Sequence, residues 1–183
     1  MSIFGALLFA FLMIVRIAQM IGGGVDPLGI LLAVQAGMAA FYMIFRHKAS
    51  QEARLPVQLL AWTSAILPLT IQTTKGGWGW LATPGLCLAL WSIWSLGSSF
   101  SIAPAARKLV VQGPYRFIRH PMYAGEILSL FGTCIASLAA WNVCALAIFI
   151  ASICMRIAKE ESLFKNYSIY AHSVKWRLIP GVW

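Results

Sequence analysis

The chain has 183 residues, of which 60% are hydrophobic and 10% charged. Soluble domains carry about 25% charged residues, so an ordinary soluble fold is excluded. Because the apolar excess falls in several long runs, the expectation is a polytopic membrane protein. The formal net charge of +9 would suggest nucleic acid in a soluble protein. Here the basic residues lie in loops between apolar runs, which reads as membrane topology and contact with anionic lipid headgroups, with no nucleic-acid partner.

The length suits one structural domain. Residues 2–21 form the first apolar span; they lack the short core and small-residue cleavage site of a secretory signal, so the span reads as retained. Arg16 interrupts it, either snorkelling to the headgroups or facing an internal cavity. Gly22, Gly23, Gly24, Asp26 and Pro27 make a turn. Residues 28–45 are the second span, and the loop RHKASQEAR (46–54) follows. Residues 57–72 form a shorter third span containing Pro68. A loop at 73–79 carries Lys75, with Trp78 and Trp80 at the next boundary, where interfacial aromatics belong. The fourth span covers 80–100.

The longest polar interval, 101–120, carries Arg107, Lys108, Arg116 and Arg119. Pro121 opens a fifth span reaching residue 139. Trp141-Asn142 reads as a tight turn, and 143–158 returns as the sixth span, so the last two form a helical hairpin. From Lys159 onward Leu163, Tyr167, Tyr170 and Val174 recur at helical spacing, which predicts a surface helix at the membrane interface. The fold class expected is therefore an all-α polytopic bundle of about five to six spans, with 1–100 as transmembrane helices and 101–183 as the cytoplasmic loop, helical hairpin and tail. The basic loops place 46–54, 101–120 and the tail in the cytoplasm. Six spans satisfy the alternation; five or four remain if 57–72 or part of the hairpin does not cross. Cys87, Cys134, Cys144 and Cys154 lie in apolar runs without a C-x-x-C pair, so they read as buried thiols and no metal is expected.

Two stretches carry chemistry. In GPYRFIRHPMYAGE (113–126), Gly113-Pro114 turns the chain and His120 precedes Pro121, which suits the first helical position. The first N–H groups of that helix lack internal partners, and a helix start beside a cationic loop attracts a carboxylate or phosphate. Gly125, in the first turn, is read as a place where a ligand approaches backbone. Tyr123 and His120 add stacking surface, and Glu126 belongs near the cytoplasmic end. An interfacial loop that only anchors the helix is the plain alternative. In RIAKEE (156–161), Arg156 and Glu160 are i, i+4 and can pair; an exposed pair of that kind contributes ~0–1 kcal/mol. Glu160 and Glu161 are adjacent acids in a chain with only five, and the hairpin brings them beside His120 and Gly125. N–H donors and arginine on one wall and carboxylates on the other suit a zwitterionic ligand.

The residues Gly113-Pro114-Tyr115 and Arg119-His120-Pro121-Met122-Tyr123-Ala124-Gly125 resemble the G-P-Y-x-x-x-R-H-P-x-Y-x-G signature of the isoprenylcysteine carboxyl methyltransferase family. That family belongs to a larger group of integral-membrane methyltransferases that includes phospholipid N-methyltransferases. Arg156 with Glu160-Glu161 is similar to the family's arginine followed by paired glutamates, and WRLIPGVW (176–183) to the ending of bacterial members. The likeness covers about 105–183. The tail departs from it: SLFKNYSIY, with Asn166, stands where F-G-x-E-Y is usual.

The resemblance implies S-adenosylmethionine, leaving as S-adenosylhomocysteine, held by Tyr115, Arg119, His120, Pro121, Tyr123, Gly125, Glu160 and Glu161. It implies Arg156 as the residue that orients the acceptor. A lipophilic acceptor is expected, either a carboxylate such as an isoprenylcysteine-like acid, or a thiol or amine. For an amine, Glu160 is the candidate base. The implied setting is the bacterial inner membrane, with the site facing the cytoplasm. Two rivals stand. A nicotinamide-dependent reductase like the membrane sterol reductases shares a related C-terminal motif region, but this chain is too short for a ten-span body. A non-enzymatic membrane protein would place polar residues along a span, whereas here they cluster at one face.

Overall fold

The computed structural model describes residues 2–71, 79–165 and 167–183. Lys75, Trp78 and Asn166, to which the sequence assigns a loop, a boundary and a departure from the family pattern, lie outside them. The described chain is predominantly helical. The helices are α1 (Ser2–Gly23), α2 (Pro27–Ile44), α3 (Leu55–Ile66), α4 (Thr83–Leu96), α5 (Pro121–Ala136), α6 (Ala140–Leu163) and α7 (Tyr167–Ser173). Two short strands, β1 (Gln51–Glu52) and β2 (Ala105–Ala106), pair antiparallel.

Local sequence explains the boundaries. The Asp26 side chain accepts a hydrogen bond from the Gly29 N–H at 2.6 Å, and Pro27 takes the first position of α2, where its missing N–H costs nothing. Gly113 has φ +61°, a left-handed conformation that Gly adopts without strain. It starts the 3₁₀ turn Gly113–Arg116 that leads to α5.

The four stretches Ile3–Gly23, Pro27–Ile44, Trp80–Ser99 and Ala140–Leu163 are long and apolar enough to cross a bilayer. The other two expected spans are shorter. The third-span helix is 12 residues with a 3₁₀ extension over Leu67–Thr70. At 16 residues, α5 reaches about 24 Å at 1.5 Å per residue, against a hydrocarbon core of ~30 Å. The chain is an integral membrane protein by these helices, with a broad apolar outer surface that includes Ile3, Phe11, Ile14, Phe41, Trp94 and Ile148.

The helices pack in the order α1, α2, α4, α5, α6, α3. Phe4 of α1 then meets Trp62 of α3 edge to face, at 6.1 Å between ring centres, which brings that order round on itself. One core runs through the bundle, from Ala39 and Met43 past Ile93, Met122 and Tyr123 to Phe149, Ile153 and Ile157. The tightest seam of the C-terminal half is between α4 and α5, not within the expected hairpin of α5 and α6. A Cβ on Gly125 would stand 2.6 Å from the Ala89 nitrogen and the Gly85 oxygen. Small residues let two membrane helices approach this closely.

Three expectations change here. The turn between α5 and α6 is residues 137–139, and Trp141 and Asn142 belong to the first turn of α6. Asn142 is fully buried and donates to the Ser137 carbonyl at 2.8 Å. It therefore plugs the turn instead of forming it. Second, the tail helix turns its apolar face onto the protein: Tyr167, Tyr170 and Val174 are buried against Leu109 and Phe164, while Ser168, Ile169, His172 and Ser173 stay exposed. Third, Cys134 alone among the cysteines is buried, while Cys87 and Cys144 are exposed on the apolar surface and Cys154 is intermediate. Arg16 donates to Gln19 at 3.2 Å and lines neither cavity described below, as a snorkelling arginine would.

Candidate active site

The basic loops meet on one face of the bundle because backbone hydrogen bonds tie them together. Around the β1–β2 pair, the Ser50 N–H donates to Ala106 and the Ala53 N–H to Pro104. The tail joins the same face: the Arg119 N–H donates to the Trp176 carbonyl at 2.8 Å and the His120 N–H to Arg177 at 2.9 Å. Segments 46–54, 101–120 and 174–183 thus form one layer over the helix ends.

Under that layer lies a cleft. Its walls include Tyr115, Arg119, His120, Tyr123, Glu160 and Tyr167, and Met122 and Tyr170 also face it. Five of the expected site residues meet there: Tyr115, Arg119, His120, Tyr123 and Glu160. Pro121, Gly125, Arg156 and Glu161 are near in sequence or structure but do not line it.

The two adjacent glutamates do different things. The Tyr123 hydroxyl donates to Glu160 at 2.9 Å, and Glu160 faces the cleft. Glu161 sits at a junction of cations. Arg177 donates to it through both Nε (3.0 Å) and Nη2 (2.9 Å), Arg119 through Nη1 at 3.1 Å, and His120 Nε2 lies at 3.2 Å. Such a fork on a carboxylate is among the stronger polar contacts. The bond from Glu161 raises the Arg177 pKa above its ordinary value. Glu161 thereby holds three segments together: the 113–120 loop, α6 and the tail.

The tail closes the cleft with aromatics. The Tyr167 hydroxyl is 3.2 Å from His120 Nε2, and the Tyr170 hydroxyl donates to the Tyr115 carbonyl at 2.6 Å. Burial pushes the Tyr170 phenol up to about 12, so it stays a donor at any ordinary pH. Burial also raises Tyr115 and Tyr167. The rings of His120 and Tyr123 stack at 5.7 Å. At the start of α5 the first intrahelical bond belongs to Ala124, whose N–H donates to His120. The Met122 and Tyr123 N–H groups precede it, beside the cleft, without an intrahelical acceptor.

Arg156 is not in an exposed pair with Glu160. It is 3% exposed, donates to the Ile102 carbonyl at 2.7 Å, and reaches Ser64 of α3 at 3.4 Å. Its guanidinium lies 4.8 Å from the centre of the Tyr123 ring, a cation–π arrangement, and its Nε has no acceptor. The Tyr123 ring therefore has Arg156 against its face and Glu160 at its hydroxyl. Gly125 also differs from expectation. The place of its absent side chain is filled by α4 backbone, so the glycine serves helix approach rather than ligand approach.

Sequence reading did not assign roles to Arg177, Ser64, Ile102 or Arg107. The Tyr167-x-x-Tyr170 spacing was the available signal for the closing wall. Its pairing with Tyr115 and His120 spans 47–55 residues, beyond any local pattern.

A model of the family described as phospholipid methyltransferase matches residues 77–171, just over half of the chain. The chain is also similar to the uncharacterized protein YpbQ of Bacillus subtilis (strain 168), with 26% identity over 125 residues, covering 63% of this chain and 74% of that protein. The matched region takes in α4, the 113–126 motif, α5, α6 and most of α7.

Proposed function

The chain belongs to the phospholipid methyltransferase family, and from that premise we propose that it uses S-adenosylmethionine to methylate a lipophilic acceptor at the basic face of the membrane. The observation that carries the proposal is the cleft itself. It joins a carboxylate held by a tyrosine (Glu160 and Tyr123), aromatic walls, and two helix-start N–H groups beside cations.

That donor set fits the cofactor. S-adenosylmethionine supplies, when bound, a sulfonium methyl as the electrophile. Glu160 has a second carboxylate oxygen for hydroxyl or ammonium groups. The aromatic rings of the cleft, Phe164 and Tyr167 among them, suit a cation. The Met122 and Tyr123 N–H groups suit a carboxylate. Tyr167 and Tyr170 keep water out, which strengthens every electrostatic contact inside. Arg156, across the Tyr123 ring, is the residue assigned to orient an acceptor carboxylate; its Nη groups are engaged by Ser64 and Ile102, which leaves its Nε, without an acceptor, as the donor for that role. For an amine acceptor Glu160 is the base. The motif at 113–125 supports an isoprenylcysteine-type acid among the acceptor classes. The clustering of the basic loops supports a site open to the cytoplasm of a bacterial inner membrane.

Calorimetry in detergent with S-adenosylhomocysteine and, separately, NADPH tests the cofactor. Binding of the first alone is expected. Binding of NADPH in its place would sink the proposal and favour a reductase. On a background without the native cysteines, a cysteine at position 111 should be labelled from the cytoplasmic side only; labelling from outside would overturn the orientation.

A further inference from the structure

A second cavity lies on the same basic face. Ser101, Ala103, Pro104, Ala105 and Arg107 border both cavities, so one strip of chain stands between them. The deep wall of the second is apolar, made by Met43, Trp62 and Ile102; its polar lining includes Arg46, Glu52, Gln58 and Arg107.

Arg107 is the group that needs an explanation. Its side chain is 3% exposed. It donates through Nη1 to the His47 carbonyl. Its Nη2 is 4.0 Å from Glu52, whose own side chain is 55% exposed, and its Nε has no acceptor. The Arg46 charge bears on it directly: burial and that neighbouring cation together lower its pKa. Two guanidiniums thus line one cavity opposite a single carboxylate that faces water. A buried charge without a full partner is costly, and a fixed anion between Arg46 and Arg107 would remove the deficit.

We propose that this cavity binds the phosphate of an anionic phospholipid headgroup, with Arg46 and Arg107 as its cationic walls. A lipid is chosen over a free ion because of what adjoins the cavity. The end of α2 and the start of α3 flank it, and there Ile44, Phe45, Leu55 and Leu59 are exposed apolar residues, placed to run beside acyl chains. Arg46, Glu52 and Gln58 line this cavity and not the methyl-transfer cleft, whereas Arg107 borders both, so Arg46 is the residue that separates the two sites.

Native mass spectrometry of the detergent-solubilised protein, offered dioleoyl phosphatidylglycerol and dioleoyl phosphatidylcholine together, tests this without any variant. Selective retention of phosphatidylglycerol is expected; equal retention of the two, or none, overturns the proposal. Arg46→Gln should weaken phosphatidylglycerol binding about tenfold, the loss of one charged contact. Lys48→Gln and Arg54→Gln, on the same loop but outside the cavity, should stay within about twofold. An equal loss in all three would mean a diffuse surface charge and no built site. Inorganic phosphate that displaces phosphatidylglycerol at equal concentration would show that a free ion, not a lipid, is the ligand. Affinity for S-adenosylhomocysteine should be unchanged in Arg46→Gln, so failure here is separable from failure of the methyltransferase reading.

Discussion

The α1–α2 pair and the 101–183 region are held by different means. In α1–α2 the side-chain hydrogen bonds, Arg16 to Gln19 and Asp26 to Gly29, span three residues each, and the rest is apolar packing. In the second region the bonds reach across the chain: Tyr123 to Glu160 over 37 residues, Tyr170 to Tyr115 over 55, Arg156 to Ser64 over 92. Apolar spans are placed by shape and local caps, which many sequences satisfy. A polar layer needs particular residues, because each lost partner leaves a buried group unsatisfied. The family match, at 77–171, falls largely on the second kind.

The sharpest way to expose that contrast uses glycine. Gly22→Leu at the end of α1 enters open space, whereas Gly125→Leu drives a side chain into α4 backbone. Overpacking costs ~1–3 kcal/mol even where side chains can yield, and backbone yields less. Gly125→Leu should therefore give no monodisperse folded peak by size-exclusion chromatography, while Gly22→Leu keeps its yield and melting temperature. Equal tolerance would mean that the α4–α5 seam is loose.

Arg156→Lys comes next. Lysine keeps the charge but loses the planar fork that serves Ile102, Ser64 and the Tyr123 ring together. Once an acceptor is known, turnover should fall more than tenfold, about 1.4 kcal/mol in the barrier, with S-adenosylhomocysteine affinity within a few-fold of the parent. A large loss of cofactor affinity would place Arg156 on the cofactor's side of the site.

The Glu161 junction should show a smaller, shared effect. Glu161→Gln and Arg177→Gln should each destabilise the folded protein by ~1–3 kcal/mol and speed proteolysis within 174–183. In a thermal-stability double-mutant cycle they should couple by at least ~0.5 kcal/mol; strict additivity would show that the junction is not cooperative. A fall in cofactor affinity in Glu161→Gln, with the tail still protected, would assign this residue to the ligand instead. Arg16→Gln closes the series on the α1 side. Its melting temperature should shift by no more than ~0.5 kcal/mol allows, as for a surface change; a larger loss would mean a charge used inside the bundle.

The same contrast explains what could be read from the residues alone. Hydropathy located the spans, and the 113–126 and 156–161 stretches identified the face that carries Tyr115, Arg119, His120, Tyr123 and Glu160. Periodicity could not say which of two adjacent glutamates turns to the cleft. That choice depends on Arg177 and Tyr123, which approach from different segments. Nor could it say that Gly125 faces α4, since a glycine at a helix start suits ligand and helix alike. Asn142 looked like a turn residue by composition. It sits in the first turn of α6, where its amide donates to the Ser137 carbonyl.

The backbone bonds from Arg119 and His120 to Trp176 and Arg177 have a consequence during synthesis. The entrance to α5 is translated well before its partners: 56 residues separate Arg119 from Lys175, whose carbonyl it also reaches. At ~5–20 residues per second this is a delay of roughly 3–11 s. Through that interval α5 and α6 can already be inserted while the face above them is open. Arg119 can then pair with Glu161 of α6 before Arg177 of the tail arrives to share that carboxylate. The binding face of this protein is therefore finished on the ribosome's schedule, after its membrane body.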